Sequence, residues 1–382
     1  MNKANFWLQG KPGRGIGAFL VVLSLVLAGT ACSPPEPIRI GFIGGTSGRG
    51  ADLGIAGRDG AQLAIERCNQ QGGISGRSIE LLIKDDAQDP ETARKAVEEL
   101  AARGVEAIIG PMTSDMGLAV TPVVNRQRIV TVSPTVTTEE LTGKDDYFFR
   151  VTSTTRIFAT TNARFQLREK RMRRVGVIYD LGNRTFTENW LRQFRQAFEE
   201  GGGSIVAQKT FLSGKDTSSM DLAKDLLTNP IDGILIIANS MDSALLCQQI
   251  RKLNNKLPIT LADWGATERL LELGGRAVEG VTVVQTFDRN SSHPSYVHYR
   301  KTYLDRFKRE PGFPGVYAFD SANVILEALS RRKRGQSLKE ALLTIREFKG
   351  VQSHFSFDDF GDVRRAHVSM SVVKNGQFVV IE

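Results

Sequence analysis

Cysteine and histidine are scarce in this 382-residue chain, with three of the first and four of the second. No CxxC pair occurs, and His293, His298, His354 and His367 show no metal-ligand spacing, so a structural zinc site is not expected. Cys68 and Cys247 fall inside helix-like patterns far apart and read as buried, inert thiols. Long apolar runs are also missing. The longest, Ala18 to Ala28, is too short to span a bilayer as a helix. The formal charge of +8 lacks a coherent basic face. Three of its contributors, Lys3, Lys11 and Arg14, lie in the first 31 residues, where no acid stands. The short clusters Arg171 to Arg174 and Arg331 to Arg334 read as solvated helix ends, so no nucleic-acid partner is expected.

Catalytic signatures are equally thin. Gly48-Arg49-Gly50 with Gly54 departs from the dinucleotide spacing, and Asp85 lies 35 residues beyond Gly50, where about 20 is usual. Gly45-Thr46-Ser47-Gly48-Arg49 misses the nucleophile-elbow pattern at its final glycine, and no His–acid pair accompanies it. Gly214-Lys215-Asp216 has no upstream glycine of a phosphate loop. The expectation is a binding protein without cofactor, not an enzyme.

What is present is ordinary globular material, 41% hydrophobic, and long enough for two domains. Residues 1–31 form a targeting segment with a basic start and an apolar middle. It ends Leu27-Ala28-Gly29-Thr30-Ala31-Cys32, which resembles a bacterial lipobox with Gly29 in place of the usual leucine. Cys32 is therefore the expected lipid-bearing N-terminus of an exported protein anchored to a bacterial membrane; simple cleavage after Ala31 is the alternative. Residues 32–37, rich in proline, read as a tether.

From Ile38 strands and helices alternate. Ile38–Ile43 and Ile79–Lys84 read as strands, with helices to Gln71 and from Pro90 to about Arg103. Such alternation implies a doubly wound parallel α/β sheet. The order restarts at Arg174–Tyr179 and continues through a helix over Glu188–Glu200, a strand Ser204–Ala207 and a strand from Ile231 to Ala238. Two similar lobes follow from this repetition. Helices are expected over Pro294–Lys308, Val316–Arg331 and Ser337–Phe348, and the tail reads as hairpins with turns at Asp359–Gly361 and Asn375-Gly376.

The organising stretch is Val105 to Leu141. Ala107–Ile109 and Ile129–Val132 read as adjacent parallel strands that open into Thr113-Ser114 and Thr135-Val136-Thr137. Ligands of open α/β sheets bind outside the carboxyl ends of the strands, so these loops form the expected site. A serine at a helix start suits an anion. The plain alternative is that Ser114 only caps its helix.

Ile40-Gly41, Thr46-Ser47-Gly48, Asn69 to Arg77, Asp85 to Pro90, Ile109-Gly110-Pro111, Ser133-Pro134, Glu140-Leu141 and Tyr317 to Ala322 occur in one order. On these residues the chain from Ile38 onward resembles the type I periplasmic substrate-binding proteins of branched-chain amino-acid (Leu/Ile/Val) ABC transporters. The resemblance implies two Rossmann-like lobes, a three-crossover hinge and a ligand cleft between the lobes. It places crossovers near Val151, Thr286 and Lys349, with lobe one as 38–151 and 287–349 and lobe two as 152–286 and 350–382. It implies a small-molecule ligand and, as partner, an ABC permease with cytoplasmic ATPases. A ligand carboxylate would be held by Ser114 and Thr137, flanked by Thr113 and Thr135, and an ammonium by the carbonyl of Val136.

The chain departs from that family in several places. Leu53 stands near the usual first-loop aromatic, and Gln88 and Thr113 stand where a disulfide is common. Trp264 aligns with the acid that pairs the ammonium, leaving Asp263 as a substitute one residue away. Arg184 or Phe186 replaces a tyrosine. Phe186 and Trp264 are expected either to sandwich an apolar or aromatic ligand body, with Asn239 and Ser240 at its far end, or simply to pack the core. A regulatory or structural lipoprotein on the same fold is the alternative function.

Overall fold

A computed structural model describes Met1 and residues 35–215, 217–364 and 368–382. Cys32 and the targeting segment lie outside the described residues. The first sheet contains β1 (Ile38–Gly44), β2 (Ile79–Asp85), β3 (Ala107–Ile109), β4 (Val130–Ser133) and β5 (Phe148–Arg150) in the order β2-β1-β3-β4-β5. Every pair in it is parallel. The second sheet repeats this order with β6 (Arg174–Asp180), β7 (Ser204–Phe211), β8 (Gly233–Ile237), β9 (Ile259–Leu261) and β10 (Thr282–Gln285), arranged β7-β6-β8-β9-β10. Beyond β10, β14 (Ser369–Lys374) and β15 (Gln377–Val380) extend it antiparallel. The two-lobe α/β architecture read from the sequence is what the chain adopts.

β1, β3, β4, β8 and β9 are short apolar runs buried on both faces, as parallel strands covered by helices must be. Helices α1 (Ala51–Gln70), α2 (Pro90–Ala102) and α3 (Ser114–Gln127) cover the first sheet. Pro90 opens α2 at a position where a missing N–H costs nothing, and Asp89 caps it by accepting from the Thr92 amide at 2.8 Å. Helices α4 (Thr155–Arg168), α5 (Arg184–Glu200), α6 (Ser219–Leu227), α7 (Ser240–Leu253) and α8 (Glu268–Gly274) belong to the second sheet. The chain returns through α9 (Pro294–Phe307) and α10 (Gly312–Arg331), and α10 packs along α1. At their crossing a Cβ on Gly60 would stand 2.0 Å from the Gly315 carbonyl oxygen, so only glycine allows this approach.

Some elements differ from the sequence reading. The helix expected over Ser337–Phe348 is α11 (Leu338–Thr344), opened by a Ser337–Glu340 capping box, and Phe348 belongs to a strand, β11 (Phe348–Lys349). β5, α4, α7 and α8 are additional to the elements named from the sequence. The third crossover is not at Lys349. β11, β12 (His354–Phe357) and β13 (Val363–Arg364) form a separate small sheet against lobe one. The Phe357 ring packs edge-on to Phe149 at 5.3 Å. The buried Arg150 guanidinium donates to Asp362 at 2.7 Å and to the Thr138 carbonyl at 2.7 Å, which fastens this segment to lobe one. β14 pairs with β10, so the chain is part of lobe two again from Ser369 onward. The hairpin expected at Asn375-Gly376 is present, with positive φ at both residues (53° and 69°).

Candidate functional site

Because both sheets have the same order, the loops at the carboxyl ends of their central strands face each other. Lobe one contributes the segments after β1, β3 and β4; lobe two contributes those after β6, β8 and β9. At the floor between them are two small cavities of about 20 Å³ each. Leu53, Thr113, Ser114, Asn183, Phe186 and Trp264 line the first; Thr137, Thr152, Gln285, Thr286 and Tyr317 line the second. Thr135, Asp263 and Phe313 border both. Volumes of this size admit a water or two, so a ligand here is small and enters while the lobes are apart.

The N-cap of α3 is Thr113, in extended conformation and without a side-chain capping bond. Ser114 is the first helical residue, 1% exposed, and its hydroxyl has no partner among the described residues. The capping reading of Ser114 is thereby overturned: the hydroxyl sits unsatisfied at the positive end of a helix, beside a cavity. Thr135 donates to the Met112 carbonyl at 2.5 Å. Thr137 accepts from the Thr155 hydroxyl at 2.9 Å, which leaves its own O–H free to point elsewhere. Val136 turns the other way, fully buried with Leu141 and Phe148, and lines neither cavity.

Across the cleft, Asp263 opens a short 3₁₀ turn after β9. One of its oxygens accepts from the Trp190 indole N–H at 3.0 Å. Asp263 lines both cavities. Burial drives its carboxyl up to about 7, and the Trp190 bond only partly opposes that. Trp264, beside it in sequence, lines the first cavity. Phe186 and Trp264 meet edge-to-face, with centroids 5.7 Å apart and planes at 80°, so they form one corner of the wall and do not sandwich a ligand. Asn239 does not reach either cavity. Its side chain caps α7 by accepting from the Asp242 amide at 2.9 Å and donates to the Asp242 carboxylate at 2.6 Å. Asn183, Phe313 and Gln285 line the cavities without having been expected there.

The lobes are held against each other above these cavities. Asp115, in the first turn of α3, accepts from the Arg184 and Thr185 amides at the start of α5, at 2.9 and 2.7 Å. In return Asn183, the N-cap residue of α5, accepts from the Asp115 amide at 3.1 Å. Two helices of opposite lobes therefore cap one another. Beside them Arg49 pairs with Asp242 at 2.7 Å, and Asp52 accepts from the Ser240 and Thr267 hydroxyls at 2.7 and 2.5 Å.

The described residues contain no helix long and apolar enough to cross a membrane, and no group of three His, Cys, Asp or Glu placed to hold a metal. The chain is 22% identical over 358 residues to the Leu/Ile/Val-binding protein BraC3 of Rhizobium johnstonii, an alignment covering 90% of this chain and 94% of that protein. Its fold matches the branched-chain amino acid transporter substrate-binding protein LivJ of Streptococcus pneumoniae, solved with isoleucine, at a TM-score of 0.83, 23% identity and coverage of 90% and 99%. It matches a solute-binding protein of R. palustris, solved with benzoate, at a TM-score of 0.82, 16% identity and coverage of 90% and 95%. The family model described as "Periplasmic binding protein" spans residues 37–377, and with its two facing lobes and enclosed cleft the chain belongs to that family.

Proposed function

We propose that the protein is an extracytoplasmic solute receptor that closes on a small amino acid or related carboxylate and presents it to an ABC permease. The observation that carries this reading is the pairing, across one cavity system, of the unsatisfied Ser114 hydroxyl with the Asp263 carboxyl. A carboxylate suits the first, at a helix N-terminus. An ammonium suits the second, since an unpaired buried carboxylate is costly and a cation relieves that cost. A relative whose name records Leu, Ile and Val binding, and a fold neighbour solved with isoleucine, support an amino-acid ligand.

Closure supplies the signal. Only the closed form brings Ser114 and Asp263 to the same ligand, so ligand shifts the population toward it. Lipid attachment at Cys32 would keep the receptor beside its permease, and mass spectrometry of the mature N-terminus tests this.

The function is tested by calorimetry and thermal shift against amino acids, aromatic acids, amides and short peptides. A ligand at about 100 times its dissociation constant adds roughly 2.7 kcal/mol to stability. A flat response over the panel would favour a regulatory or structural role on the same fold.

A further inference from the structure

The second cavity contains a feature that an aliphatic amino acid would leave unused. Gln285 ends β10 just before the second crossover, and it is 4% exposed. Its carbonyl oxygen accepts from the Arg289 guanidinium at 2.6 Å. Arg289 is itself fixed, by Glu268 and the Ala266 carbonyl at 2.5 Å each and by stacking on Phe378 at 4.0 Å. A guanidinium has only donors, so the amide oxygen must face it. The amide nitrogen then faces away, and it is buried with no partner among the described residues. Gln285 lines the second cavity.

Besides Gln285, this cavity is lined by four threonines, Tyr317, Asp263 and two phenylalanines, with no cationic side chain among them. The Thr286 and Tyr317 hydroxyls bond to each other. An oriented, buried donor lining such a chamber is satisfied by an acceptor on the ligand, and leaving it unpaired weakens binding. Arg289 is engaged by Glu268 and does not line the chamber, whereas Asp263 does, so a second carboxylate would be buried uncompensated there. A neutral oxygen is the acceptor that fits.

We propose that Gln285 selects the far end of the ligand, and that the preferred solute is a small amino acid whose side chain ends in a neutral hydrogen-bond acceptor such as an amide carbonyl or hydroxyl. This rests on the Ser114–Asp263 reading of the first cavity: Asp263 and Thr135 border both chambers, so a ligand anchored in one reaches the other.

Calorimetry with near-isosteric pairs tests it: asparagine against leucine, threonine against valine, and asparagine against aspartate. The wild type should favour the neutral polar member of each pair by at least about tenfold. Gln285→Leu should abolish the asparagine-over-leucine preference. Gln285→Glu keeps an acceptor for Arg289 but presents no donor to the chamber, and should abolish it as well. A wild type that binds leucine and valine as tightly as their polar partners, with ratios unchanged in both variants, overturns the role of Gln285 and leaves the Ser114–Asp263 site standing. If no amino acid of the panel binds, the site reading itself fails and this inference falls with it.

Discussion

Asp263 is a carboxyl whose environment opposes its charge, and the consequences have a definite sign. Its pKa is about 7 in the folded chain against about 3.9 in an unfolded one. Between those values the folded state binds more protons, so this group's contribution to stability is complete below about pH 4 and is lost as pH rises through 7. Asp86, raised by burial to about 6, acts in the same direction. The ligand-free protein should therefore gain stability on acidification from pH 8 to pH 5, and Asp263→Asn should flatten that gain in thermal melts. An ammonium ligand requires the ionised form, so its affinity should fall about tenfold per unit below pH 7 in wild type and lose that dependence in Asp263→Asn. Ser114→Ala should cost a carboxylate ligand about 1–3 kcal/mol in calorimetry, and unchanged affinity would remove Ser114 from the site. The hydroxyl-rich loops were legible as sequence because each follows a short buried strand. Gln285 was not: a glutamine at a strand end has no distinguishing pattern, and its meaning comes from Arg289, which orients the amide. Asn239 misled for the converse reason, since a polar residue after a strand serves a helix cap as readily as a ligand.

At the scale of elements, the sequence reveals those whose hydrophobic pattern is unbroken and hides those docked by polar groups. α4 is the clearest case. Its sheet-facing side includes Asn162 and Gln166, both fully buried. Asn162 donates to the Leu261 carbonyl at 3.1 Å, and Gln166 donates to the Thr260 and Thr282 hydroxyls at 3.0 and 3.1 Å. Amides in place of aliphatics erase the 3.6-residue apolar signal. β5 is only three residues long and ends in the buried Arg150, so its pattern has too few positions to be read. The α1–α10 contact gives a direct test. Gly60→Ala should destabilise the protein by about 1–3 kcal/mol in denaturant melts, since the methyl meets a backbone oxygen that cannot rotate away. The reciprocal cap between α3 and α5 gives another. Asp115→Ala and Asn183→Ala should be non-additive by about 0.5 kcal/mol or more in a double-mutant cycle on ligand affinity, because each removes a bond of the same closed arrangement.

For the whole molecule, the repeated strand order was readable because two runs of alternating strands and helices share one order of elements. The last crossover was not, because β11 to β13 and β14 to β15 are all short strands, and only tertiary partners such as Phe149 and Arg150 decide which lobe receives them. The paired helix caps also have a kinetic consequence. They join the lobes directly and without any ligand atom, as does the Arg49–Asp242 pair beside them. A captured solute can leave only after these bonds separate, so the cap sets a floor on residence time that is independent of which solute is held. Stopped-flow release should be accelerated by Asp115→Ala to a similar factor for every ligand, whereas changes at Gln285 should alter release ligand by ligand. The cleft thus divides its work, with its rim timing release and its floor choosing the cargo.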